Sequence, residues 1–123
     1  MSVEGTLIAE GLRIGAVLEG VPLTVHKLSR ADCGDEQAGQ PRTWTFIEFA
    51  APDGSAASLA SLLSDVLEPS LGWYCDFRTP DQTYVVFAGR IFSYARGDRL
   101  LRADAENHAR SVGVPEDQLD WPE

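Results

Sequence analysis

An α+β domain is the fold class this sequence predicts: a mostly antiparallel sheet of about five to six strands with two main helices. Three observations predict it. Period-two runs rich in β-branched and aromatic residues recur along the chain. Two segments, Ser55–Leu67 and Arg99–Val112, have helical apolar spacing instead. Short turn signals such as Thr79-Pro80-Asp81-Gln82 and Ala88-Gly89 separate the runs. The implied order is β-β-β-α-β-β-β-α within one domain spanning residues 1–123.

The first eleven residues fit either a short helix or a strand. From Leu12 the alternation Leu12, Ile14, Ala16, Leu18 predicts a half-buried strand to Glu19. A turn at Glu19–Pro22 leads to a second strand, Leu23–Leu28, expected to pair with the first. Arg30–Arg42 is polar and reads as an exposed, mobile loop. Thr43–Ala50 carries Trp44 and Phe46 on one face, Ile47 and Phe49 on the other. Such a strand belongs inside the sheet or at the border of a pocket.

Asp53-Gly54-Ser55 supplies N-cap chemistry for the first helix, whose inward stripe is Leu59, Leu62, Leu63, Val66 and Leu67. Glu68-Pro69 ends it, because the residue before proline is pushed out of the α region. Gly72–Asp98 then reads as three consecutive strands forming the centre of the sheet, with Gly89 in a tight turn or a bulge. Arg96-Gly97-Asp98 has the form of an adhesion tripeptide, but Asp98 as N-cap of the second helix accounts for it. That helix should bury Leu101, Ala105, His108, Ala109 and Val112. On its solvent side Arg102–Glu106 and Glu106–Arg110 are i,i+4 pairs. Gly113 fits the C-terminal cap, and Leu119 and Trp121 should dock the tail on the core. Both helices are expected on one face of the sheet.

With 44% hydrophobic and 24% charged residues the composition is globular. No apolar run approaches the ~20 residues that span a bilayer, and the N-terminus has no secretory pattern, so the expected location is cytoplasmic. The net charge of −9 argues against nucleic acid and anionic membranes as partners. Between Asp76 and Arg110 six arginines face five acids, which leaves −10 for the remainder. Cys33 and Cys75 are too few for a disulfide framework and are expected as thiols.

No phosphate loop, dinucleotide fingerprint, nucleophile elbow or zinc-protease motif is present, and no cofactor, metal site or catalytic residue is implied. His26 and His108 fall in separate elements, and Asp104 four residues before His108 reads as a structural neighbour. The binding candidates are Tyr74, Asp76 and Arg78, which share a strand face, with Arg90 and Tyr94 approaching from a nearby strand and Glu48 from the earlier one. Tyr, Asp and Arg together suit a small polar ligand or the centre of a protein interface.

The run Gly72–Arg78 (GWYCDFR), followed by Val85–Asp98 (VVFAGRIFSYARGD), resembles small, uncharacterised single-domain bacterial proteins. The resemblance implies no activity, cofactor or site. The functional expectation is a non-enzymatic protein-interaction or accessory domain with an acidic surface, an inhibitor or immunity-type role included. A small-ligand-binding domain or an enzyme using the Tyr74/Asp76/Arg78 face is the alternative. A protein partner or self-association through a sheet edge is the expected kind of assembly.

Overall fold

The computed structural model describes residues 2–33 and 39–123. Six strands and two helices follow in the expected order. They are β1 (Ser2–Ile8), β2 (Thr24–Asp32), β3 (Thr43–Pro52), α1 (Ala56–Val66), β4 (Cys75–Arg78), β5 (Gln82–Phe87), β6 (Arg90–Ala95) and α2 (Arg99–Ser111). They form one sheet in the spatial order β2-β3-β1-β4-β5-β6, with every neighbouring pair antiparallel.

The strand count agrees with expectation, but the first strand is a different segment. β1 comes from the ambiguous N-terminal residues and lies between β3 and β4, joining the β2–β3 hairpin to the β4–β5–β6 meander. Gly72–Asp98 therefore forms one side of the sheet, with β6 at its edge, rather than the centre. Leu12–Glu19 is no strand, and β2 pairs with β3 instead. The Arg13 N–H donates to the Val66 carbonyl at the end of α1, and Gly15 takes a positive φ of 92° in the turn that follows. Leu12, Ala16 and Leu18 pack against the α1 side of the core while Ile14 is 98% exposed. The alternation there records a chain draped over a hydrophobic surface, not one paired in a ladder.

β2 extends through Arg30–Asp32, the start of the expected loop, and residues 34–38 of that loop lie outside the described part of the chain. The Ala88-Gly89 signal is a two-residue hairpin turn, since Phe87 pairs with Arg90 and Gly89 has φ 74°. The bulge alternative is excluded.

The two helices lie on opposite faces, not on one. α1 buries Leu59, Ala60 and Leu63 against Val3 and Leu7 of β1, Phe49 of β3, Cys75 and Phe77 of β4 and Val86 of β5. α2 buries Ala105 and Ala109 against Val85 and Phe87 of β5 and Tyr94 of β6, together with Val114 and Trp121. Val85 and Val86 are adjacent, so they face opposite sides of the sheet, and each seeds one core. The hydrophobic alternation of β5 thus decides that both faces are covered here.

Helix ends follow local chemistry with one exception. The Asp98 carboxylate accepts from the Leu101 N–H at 3.1 Å, as expected for an N-cap. Val114 donates to the Ala109 carbonyl and Gly113 to that of Arg110, the two bonds of a Schellman cap. At α1, however, the Ser55 hydroxyl donates back to the Pro52 carbonyl at 2.6 Å and makes no capping bond. On α2, Leu101 is 44% exposed rather than buried. Arg102 pairs with Glu106 at 3.5 Å in a half-buried position, and Arg110 pairs with Glu116 beyond the helix. Both cysteines are free. Cys75 is buried and its thiol donates to the Thr6 carbonyl at 3.3 Å.

Candidate functional site

α2 covers only the β5–β6 half of its face, and the β3–β1–β4 half is left open. The strand registers specify what that open floor displays. Thr6 is paired with Glu48 on one side and with Asp76 on the other, so Glu48, Thr6 and Asp76 form one cross-strand row. Glu4 and Arg78 are paired one step along, and Ile8 and Phe46 one step the other way. Antiparallel strands lie about 4.8 Å apart, which puts the Glu48 and Asp76 backbones about 10 Å apart across Thr6.

The chain then returns to wall this floor. After α2, the 3-10 turn Glu116–Gln118 carries the tail back along the sheet. The Tyr74 hydroxyl donates to the Gln118 carbonyl and lies 3.5 Å from an Asp120 carboxylate oxygen. Trp121, 3% exposed, donates from Nε1 to the Tyr94 hydroxyl at 2.8 Å and lies under the Arg102 guanidinium, 4.8 Å from its ring centroid. The Gln118 amide donates to the Gln40 side chain, whose own Nε2 holds the Leu71 carbonyl. These contacts fix the wall from both ends.

The result is an open cleft of about 1060 Å3. Trp44, Trp73 and Trp121 all line it, and the chain has three tryptophans. Phe46, Tyr74 and Ile8 add to the apolar lining. Its charged residues are Glu48, Asp76, Asp117 and Asp120 against Arg42 and Arg78. Arg42 is engaged by Asp32 at 3.2 Å and Arg78 by Asp76 at 3.2 Å, so the lining has an excess of negative charge.

The Asp76–Arg78 pair is half-buried, with side chains 17% and 24% exposed. It is a single-point contact, Nη2 to Oδ2, and the Arg78 Nε is buried with no hydrogen-bond partner among the described residues. Burial pushes the Asp76 carboxyl up to about 6; Arg78 pulls it down and nearby Asp120 pushes it further up. Burial, with Asp76 and Asp120 close by, also raises the Tyr74 phenol well above its usual range, so it stays a neutral donor. Glu48 meets Lys27 at 3.8 Å in an exposed geometry that contributes little.

Of the residues singled out by sequence, Tyr74, Asp76, Arg78 and Glu48 line this cleft. Arg90 and Tyr94 point to the same side of the sheet but stand on β6, in the part that α2 covers. Arg90 lies 4.7 Å from the Phe92 ring centroid, and Tyr94 is buried as the acceptor for Trp121. Strand parity predicted the side correctly and carried no information about which part of it stays open. His108 packs edge-on to Phe87 in the same covered region. Sequence reasoning missed Thr6, Trp44, Trp73, Asp120 and Trp121 as lining residues. Only the bulky Trp44 on a two-faced strand hinted at a pocket border.

Among the described residues, no group of three or more His, Cys, Asp and Glu side chains is arranged to hold a metal ion. No helix there is long and apolar enough to cross a membrane. No protein-family model, curated protein or solved structure matches the chain.

Proposed function

We propose that this chain is a non-enzymatic protein-interaction module whose recognition site is the open β3–β1–β4 cleft and whose partner is basic. The observation that carries the reading is the cleft itself: about 1060 Å3, lined by all three tryptophans and by four carboxylates against two arginines that already have carboxylate partners. The tryptophans are themselves buried and stiffen the walls, so what the cleft offers a partner is chiefly the exposed carboxylates Glu48, Asp117 and Asp120. The −9 net charge steers a basic partner toward this surface and speeds encounter at low salt. An inhibitor or immunity-type role is compatible with this arrangement. The test is capture from native lysate with the wild-type chain beside Thr6→Trp, which fills the cleft from its floor. The expected result is a stoichiometric partner that the folded variant no longer retains. Undiminished capture by Thr6→Trp would remove the cleft from the reading.

One observation favours a second reading, a small-ligand or catalytic site. A carboxyl group pushed up to about 6 within a cleft is suited to proton transfer near neutral pH. A thermal-shift screen against metabolites separates the two, because a ligand at 100 times its dissociation constant adds about 2.7 kcal/mol of stability.

A further inference from the structure

We infer that the outer edge of β6 is a docking site for an extended, acidic segment of a partner protein, which joins the sheet as a further strand. This surface is separate from the cleft and lies two strands beyond β4, at the end of the sheet. Its backbone polarity follows from the hairpin. Phe87 and Arg90 close a two-residue turn, and just past the strand the Arg96 N–H donates to the Asp81 carbonyl at 3.0 Å. Antiparallel partners exchange hydrogen bonds at every second residue. The even-numbered residues of β6 therefore bond to β5, and Ile91, Ser93 and Ala95, all exposed, turn their backbone groups outward. The Ala95 carbonyl takes the Asp98 N–H, while Ile91 and Ser93 present both an N–H and a carbonyl to an incoming strand. No proline, lysine or register shift interrupts β6, whereas the opposite edge, β2, has both a lysine and a register shift.

Charge and apolar surface specify the occupant. Arg90 opens the strand, Arg96 follows it and Arg99 stands in the first turn of α2, all three exposed. Acids outnumber basic residues 19 to 10 in this chain, yet among the described residues none of these three guanidiniums is paired with a carboxylate. Arg42, Arg78, Arg102 and Arg110 each are. Of the acids close by, Asp98 is committed to capping α2, and Asp81 and Glu123 meet Arg96 through their backbone carbonyls. A second copy of β6 pairing antiparallel about Ser93 would set Arg90 opposite Arg96, a like-charge contact that disfavours it. Arg90 and Phe92 emerge on the α2 side, with the guanidinium 4.7 Å from the ring centroid. The Phe92 and His108 rings are 5.4 Å apart, and Leu101, two helical turns before His108 on the same face, is 44% exposed. An added strand would thus set apolar side chains beside Phe92 and Leu101. Its carboxylates would stand six residues apart, roughly 20 Å, opposite Arg90 and Arg96.

The experiment titrates the isotope-labelled intact protein with the blocked peptide Glu-Thr-Val-Thr-Val-Thr-Glu and follows backbone amides by NMR. Its controls are the same peptide with lysine for glutamate, and one N-methylated at the central threonine. The expected result is a saturable shift centred on Ile91, Ser93 and Ala95, with exchange of those amides slowed about tenfold at saturation. The lysine peptide should bind about tenfold more weakly, and N-methylation should abolish the response. Arg90→Glu, at an exposed position, should weaken the glutamate peptide about tenfold and leave the lysine peptide unweakened. Ser93→Pro, which removes an outward N–H while sparing the bonds to β5, should abolish binding. Absence of a saturable shift, equal binding of the lysine peptide, or undiminished binding by Arg90→Glu overturns the inference. Shifts confined to Thr6 and Asp76 overturn the location. Protection of Ile91 and Ser93 without peptide, together with a dimer by light scattering, assigns the edge to a second copy and overturns the acidic occupant.

Discussion

At the scale of single residues, Asp76 is the group whose behaviour most depends on its surroundings. Its carboxyl is raised from an ordinary 3.8 to about 6, chiefly by burial, with Asp120 of the tail adding to the rise and Arg78 opposing it. The consequence for stability has a definite sign. Below about pH 4 the group is protonated in both folded and unfolded chains and contributes nothing. As pH rises toward 6 the unfolded chain ionises first, so the folded state loses stability, by on the order of 3 kcal/mol once above 6. Asp76→Asn should flatten that part of the pH dependence relative to wild type, with a pH-independent offset from leaving Arg78 half-buried without its partner. Urea denaturation on both sides of the window measures it; parallel curves for the two proteins would contradict the assignment.

At the scale of elements, β1 organises the molecule. It pairs with β3 and with β4 and contributes Val3 and Leu7 to the α1 core and Thr6 and Ile8 to the cleft floor. Its one glycine is structural. A Cβ added at Gly5 would lie 2.4 Å from the Phe77 Cβ and 2.6 Å from the Asp76 carbonyl, so no side chain fits without moving β4. Phe49 and Phe77, the residues paired with Gly5 on either side, have ring centroids 6.4 Å apart, and Phe77 stacks on Tyr84 at 4.9 Å. Gly5→Ala is therefore expected to destabilise by about 3 kcal/mol, the upper end for overpacking. Chemical denaturation checks this, and a loss under about 1 kcal/mol would show that the β1–β4 spacing is more pliable than the structure indicates. At the sheet's outer edge, β2 is interrupted by an irregularity between Val25 and Lys27. An irregular, lysine-bearing edge resists strand-to-strand pairing on that side of the sheet.

At the scale of the whole molecule, the tail after α2 decides that the open half-face becomes a walled cleft. Trp121 fastens it, buried between Arg102 and the Tyr94 hydroxyl and edge-on to Tyr74. Trp121→Ala should cost about 3–5 kcal/mol, a large share of the stability of a domain this size. It should lower the melting temperature by about 10 °C or more. Unchanged melting would mean that the tail is not docked as described.

Local chemistry made much of this legible. The β5–β6 turn, the Asp98 cap, the Gly113 cap and both helices follow from residue types at fixed offsets, because turn and cap energies act within a few residues. Side-chain parity on β4 likewise put Tyr74, Asp76 and Arg78 on one face before any contact was known. The N-terminal strand, the loop at 12–19 and the helices on opposite faces were not legible, because short apolar alternation looks the same in a ladder and in a chain draped over a core. The cleft itself was out of reach of sequence. Its row of Glu48, Thr6 and Asp76 joins three strands far apart in the chain, and its wall is a tail that only long-range packing brings back. The sequence by itself determined both helices, the Asp98 and Gly113 caps and the β4–β5–β6 meander, with the side-chain parity along its strands. Tertiary structure alone decided which part of the sheet stays open, because strand register and tail docking are set by non-local burial that no local pattern encodes.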